Sequence, residues 1–151
     1  PHERSLPDDL VQSLELPAVP DGSTVLYVPL AVGAHVDHQH AFRAGVALAR
    51  LGWPVRFYED LPYALKPGAS DARMAGIVAA GIRLEPDVVV PVGDAWDAKL
   101  DAILAYPSQL DTIFRQYVGV GTSREEISAV MRAHAERVGG GVAAERFWRL
   151  G

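Results

Sequence analysis

Cysteine is absent from this 151-residue chain, which excludes a disulfide framework, a thiolate metal site and a cysteine nucleophile. Any metal must be held by imidazole and carboxylate. Long apolar stretches are lacking too. The longest, Val25 to Ala34, falls far short of the roughly 18–20 residues that span a bilayer, and the polar N-terminal residues carry no signal-peptide pattern. Nor is there an excess of positive charge, since 14 Lys and Arg face 19 Asp and Glu for a formal charge of −5. That is the wrong sign for a protein that tracks a phosphate backbone. Neither nucleic acid nor a membrane span is expected. What is present, 49% hydrophobic and 22% charged residues without repeats or low-complexity segments, fits one domain over residues 1–151 that buries about two-thirds of its unfolded surface. The chain opens on Pro1, not Met, and is expected to be a piece of something longer.

Apolar residues Leu6, Leu10, Val11 and Leu14 predict a short helix over Pro7–Leu16, ended by Pro17, Pro20 and Gly22. The β-branched run Thr24–Val32 predicts a strand buried on both faces, with a bulge at Pro29. A helix from Asp37 or His38 to Leu51 is stopped by Gly52 and Pro54, and Val55–Tyr58 is the next strand. Strand, helix and strand make a βαβ unit, whose ligands bind at the carboxyl ends of the strands. Beyond the loop at Pro67 and Gly68, Ala72–Ala80 is helix-like and Asp87–Val92 is a strand. Asp94 is expected to cap a helix to Tyr106, and Leu110–Tyr117 forms another. Thr122 to Glu126 reads as a capping-box start for a third, with Ile127, Val130, Met131 and His134 along one face. After Gly139–Gly141, residues Ala143–Leu150 form a terminal strand.

The densest group of metal-competent side chains is His35-Val36-Asp37-His38-Gln39-His40, placed where a strand hands over to a helix. A zinc hydrolase needs neutral imidazoles or carboxylates as ligands and an open position for water. A His-x-Asp-His turn can supply one ligand, one cation and the cation's orienter. The plainer alternative makes His38 and His40 solvated first-turn residues and Asp37 an N-cap.

The surrounding residues narrow that choice. Pro29 to Gln39, then Tyr58-Glu59-Asp60-Leu61-Pro62-Tyr63, then Lys99 through Tyr106-Pro107-Ser108-Gln109, and finally Glu145-Arg146-Phe147-Trp148 together resemble the C-terminal half of the PIG-L (LmbE-like) family of zinc-dependent N-acetylglucosaminyl deacetylases. The resemblance runs from about Leu26 to Leu150. It implies a three-layer, Rossmann-like α/β domain with a mainly parallel sheet, and removal of an N-acetyl group from an amino sugar or sugar conjugate. By the same resemblance His38 is a zinc ligand. His35 is the imidazolium that meets the oxyanion and protonates the leaving amine, and Asp37 pairs with His35 to orient it. Family members carry a His-Pro-Asp-Asp-type motif upstream, bringing two more zinc ligands and the general base, and no such motif stands in this chain. The resemblance therefore implies an enzyme, cytoplasmic in location, that needs Zn2+ ligands from a missing N-terminal segment and is inactive as this chain alone. An exposed sheet edge would favour pairing with that segment or a homo-oligomer. The alternative is a metal-free homologue that binds carbohydrate or acts as a scaffold.

Several further residues have expected places. Glu59 and Asp60 are expected to hold the Pro62–Tyr63 loop in preference to lining the cleft. Tyr106, Ser108 and Gln109 are expected to brace a helix end. Arg43 pairs at the surface unless it reaches a sugar hydroxyl or phosphate. His40 is a solvated neighbour or a second-layer residue, and His134 a partly buried helix residue. Trp53, Trp96 and Trp148 read as core, and Gly93 and Gly139–Gly141 lack the nucleotide-binding glycine fingerprint.

Overall fold

The computed structural model describes residues 6–16, 20 and 22–151. The expected turn at Pro17 therefore lies outside the described residues, as do Pro1, His2 and Glu3. Helix α1 (Leu6–Ser13) is followed by strand β1 (Leu26–Pro29), helix α2 (Val36–Arg50) and strand β2 (Val55–Tyr58). Next come helix α3 (Ala69–Ala79), strand β3 (Leu84–Pro91), helix α4 (Trp96–Leu104) and the short α5 (Pro107–Leu110). A π-helical segment, Asp111–Val118, leads to helix α6 (Arg124–Val138) and strand β4 (Ala144–Leu150).

The sheet order is β1-β2-β4-β3, with β1 and β2 parallel and β4 antiparallel to both of its neighbours. The sheet is thus mixed, not mainly parallel. Alternation of apolar residues records which faces are buried but not which way a strand runs. Direction is decided by the helices between β3 and β4 and by the turn at Gly139–Gly141, where the Gly141 N–H bonds back to the Glu136 carbonyl and turns the chain along α6.

Strand β1 is shorter than expected, and Tyr27 within it is 54% exposed. The expected two-faced burial belongs instead to Leu30, Ala31 and Val32, which follow the strand and are fully buried. Pro29 makes no bulge, because the register runs unbroken from Leu26 opposite Val55 to Pro29 opposite Tyr58. Among the described residues β1 pairs only with β2, so its proline leaves no ladder bond unmade on a second neighbour there. The register instead shifts between Pro86 and Val89 of β3.

Two apolar clusters fill the molecule. Phe42, Val46 and Leu48 of α2 meet Val55 and Phe57 of β2, Ile77 of α3, Trp53 and Trp148. Trp96 and Leu100 of α4 meet Phe114 of the π segment and Ile127, Met131 and Ala135 of α6. All three tryptophans are core residues, as expected. Helix α6 begins with the expected capping box, since the Ser123 hydroxyl accepts from the Glu126 N–H while the Glu126 carboxylate accepts from the Ser123 N–H. Asp94 caps nothing. It lies in a 3-10 turn, Gly93–Ala95, and α4 starts without a side-chain cap. Tyr106 is 67% exposed and Ser108 and Gln109 are exposed, so none of the three braces a helix against the core.

Candidate functional site

The loop from Leu30 to His35 joins the carboxyl end of β1 to α2, and its backbone is unusual. Ala31 and Ala34 have positive φ (62° and 60°), as does Gly33 (82°). A left-handed conformation costs a non-glycine residue roughly 1–2 kcal/mol and persists only when its surroundings over-determine it. Here they do. The Leu30 N–H donates to the Tyr58 carbonyl at 2.8 Å, and Arg73 Nε donates to the Leu30 carbonyl at 2.6 Å. The Val32 N–H donates to Asp60 Oδ2 at 3.0 Å, and Gln39 Nε2 donates to the Ala34 carbonyl at 2.7 Å. Gly33 has a second reason to be glycine, because a Cβ there would stand 2.7 Å from Cδ1 of Tyr63.

This loop delivers the histidines. His35, not Asp37, is the N-cap of α2, its Nδ1 accepting from the Asp37 N–H at 3.3 Å. The Asp37 carboxylate is 80% exposed and 3.8 Å from the same Nδ1. One turn on, the His38 ring lies 5.3 Å from the His35 ring and 5.9 Å from Tyr63, which meets it edge-on. Tyr63 in turn packs against Tyr117, over which the Lys66 ammonium sits at 5.0 Å. His35 and His38 are thus brought together at a strand end, as the cluster's position in the sequence implied.

The buried carboxylate behind His38 was not expected. Asp60 follows β2, is 2% exposed as a residue, and places Oδ1 2.5 Å from His38 Nδ1. Both atoms are buried, and apart from this ion-pair contact neither has a partner among the described residues. Burial pushes the Asp60 carboxyl above its ordinary pKa, against the pull of the Val32 N–H and of His38. The half-buried Arg73 guanidinium, stacked 4.6 Å over the Phe42 ring, interacts electrostatically with Asp60. Asp60 also serves the loop it was expected to hold, since its carbonyl accepts from the Ala64 N–H. The sequence shows a His-x-Asp-His turn and a Glu-Asp pair, but nothing local says that residues 38 and 60 meet.

Glu59 turns the other way. Its carboxylate accepts from Arg146 at 2.8 Å and lies 3.1 Å from His134 Nε2, joining β2 to β4 and α6. Burial opposes ionisation there, but the His134 and Arg146 bonds outweigh it and leave Glu59 below the usual carboxylate range. A cavity of about 320 Å3 beside this cluster is lined by Tyr27, Tyr58, Lys99, Glu145 and Phe147 among others. His40 is not solvated but 7% exposed, and its Nδ1 has no hydrogen-bond partner among the described residues. Arg43 is exposed and forms no ion pair among the described residues.

As a metal site this arrangement is partial. His38, whose Nδ1 faces the Asp60 carboxylate, is a residue that could hold a metal here through its other ring nitrogen. Among the described residues, however, no group of three or more His, Asp or Glu side chains is gathered to hold an ion. No helix of the described residues is long and apolar enough to cross a membrane.

No protein-family profile matches the chain. Over 91 residues it is 35% identical to 2′-N-acetylparomamine deacetylase of Streptomyces fradiae, an alignment that covers 60% of this chain and 32% of that protein. In fold it is similar to the zinc-inhibited form of teicoplanin deacetylase Orf2, at a TM-score of 0.65 and 20% identity, covering 99% of this chain and 51% of that one. It is likewise similar to the A40926 pseudoaglycone deacetylase Dbv21, at a TM-score of 0.67 and 23% identity, covering 99% and 58%. The chain therefore spans about a third of the length of the sequence relative and just over half of the solved structures. It has the mixed α/β fold of that part of these deacetylases, and in sequence it is similar to one that acts on an N-acetylated substrate.

Proposed function

We propose that this chain is the C-terminal part of a PIG-L (LmbE-like) deacetylase, a three-layer Rossmann-like domain that hydrolyses the N-acetyl group of an amino sugar or sugar conjugate with zinc. The observation that carries this reading is the juxtaposition of His35 and His38, 5.3 Å apart on a strained loop at a strand end, in a fold shared with deacetylases. The partial share of those chains that is matched supports a longer domain. So does the position of β1, which pairs only with β2 among the described residues and leaves an edge on which further strands add.

In this reading His38 donates to zinc, and the remaining ligands come from a segment outside the described residues. Bound there, zinc supplies a water whose pKa is lowered towards neutrality. The chain's own residues handle charge and protons. As the amide carbon becomes tetrahedral, its oxygen gains negative charge, and the Nε2–H of His35, protonated with its Nδ1–H turned from the Asp37 amide to the Asp37 carboxylate, faces that charge. The same proton then passes to the departing nitrogen as the C–N bond breaks, leaving acetate and a free amine. Asp37 holds the His35 ring through its neighbouring carboxylate, and Tyr63 limits where the His38 ring can turn.

The test is intact mass, zinc content and acetate release from an N-acetylated amino sugar, measured on the protein as purified from its source and on its His38→Ala variant. Zinc near one per molecule, lost together with acetate release in the variant, is the expected result. A zinc-free protein that still binds the sugar would replace this reading with the metal-free carbohydrate binder.

A further inference from the structure

We propose that Asp60 is a positioning residue that fixes the tautomer of His38, so that the Nε2 lone pair and not Nδ1 is offered to a metal. The inference rests on the reading of His38 as a metal donor, but its physical core does not need the metal. Asp60 is a carboxylate with two oxygens and two neighbours. Oδ2 accepts from the Val32 N–H at 3.0 Å, and Oδ1 lies 2.5 Å from His38 Nδ1. The Val32 amide can only donate, which fixes the carboxylate's place. The remaining oxygen is an acceptor when ionised, so the neutral His38 ring puts its proton on Nδ1 and leaves Nε2 bare. Its contact with Asp60 also removes the choice of ring flip, since both facing atoms are buried and have no other partner among the described residues.

A single side chain therefore sets two features of the site at once. Through Val32 it pins the loop that carries His35, and through Nδ1 it aims His38. Ion-paired or hydrogen-bonded carboxylates behind ligating histidines are worth about 10–100-fold in metal affinity. The isosteric amide separates the two roles. In Asp60→Asn the carbonyl oxygen must stay on the Val32 N–H, because an NH2 there would set donor against donor. The amide NH2 is then left facing His38 Nδ1 and donates to it, which forces the proton onto Nε2 and removes the lone pair from the metal side. The loop keeps its anchor while the tautomer reverses.

The experiment is long-range 1H–15N NMR of the histidine side chains of the 151-residue chain and of its Asp60→Asn variant, at a pH above the imidazole titration range. His38 in the parent chain is expected as the Nδ1–H form and in the variant as the Nε2–H form. Backbone amide shifts at Val32 and Ala34 should stay close to those of the parent. A parent chain with His38 protonated on Nε2, or a variant with the tautomer unchanged, would overturn the assignment, and the parent spectrum decides this even if the variant folds poorly. In the purified zinc-bearing protein the same substitution should weaken zinc binding about 10–100-fold. If His38 shows the expected tautomers but His38→Ala leaves zinc content unchanged, the positioning by Asp60 stands and the metal reading of His38 fails.

Discussion

At the scale of single residues, the site depends on conformations that most side chains refuse. Gly33 is the clearest case, held at positive φ with the Tyr63 ring where a Cβ would go. Gly33→Ala is expected to cost about 1–3 kcal/mol, combining the left-handed penalty with overpacking. It should also push Tyr63 off the His38 edge. Urea denaturation measures the first effect, and the ring-current shift of the His38 protons measures the second. The glycine is visible in the sequence, but its reason is not, because Tyr63 is thirty residues away along the chain. The same holds for Asp60. Its neighbour Glu59 is equally acidic and equally close to a strand end, yet one carboxylate turns to His38 and the other to His134 and Arg146. Alternation along an extended segment sends adjacent side chains to opposite sides, and only the packing decides what waits there.

Elements were more legible, because caps and periodicity act over a few residues. Ser123 and Glu126 form the capping box that their spacing implied, and Ile127 and Met131 are fully buried on the expected face of α6. Ser123→Ala is expected to lower the melting temperature by about 2–4 °C, read by calorimetry. Ile127→Ala should be far worse, about 2–5 kcal/mol, since a fully buried side chain leaves a cavity between α4, the π segment and α6. Denaturant titration of the two variants side by side checks the ranking. The start of α4 departs from the local reading. Asp94 sits where an N-cap would, but a 3-10 turn intervenes before Trp96 is buried. Tertiary packing of the tryptophan, not the local cap, chose where α4 starts.

Across the whole molecule, the Glu59 cluster ties α6 and β4 to β2 and so joins the two halves of the core. Glu59 has a folded-state pKa below its unfolded value, so it contributes stability above the unfolded value of about 4.3, and that contribution fades as the pH falls through the folded pKa. Glu59→Gln should therefore be clearly less stable than the parent near neutral pH, with the gap closing in acid. Urea unfolding midpoints from neutral to acid pH test this, and a gap independent of pH would count against the charged role. By itself the sequence determined the class of chain, the places of α2, β2, α6 and β4, and the position of the histidine turn at a strand end. Those follow from composition, apolar period and capping, which act between near neighbours. Tertiary structure alone decided that β4 runs antiparallel between β2 and β3, that β1 pairs only with β2 among the described residues, and that Asp60 stands behind His38. Strand polarity and pairings between distant residues depend on how helices carry the chain back across the sheet, and that path is settled by burial of the whole set of apolar faces at once.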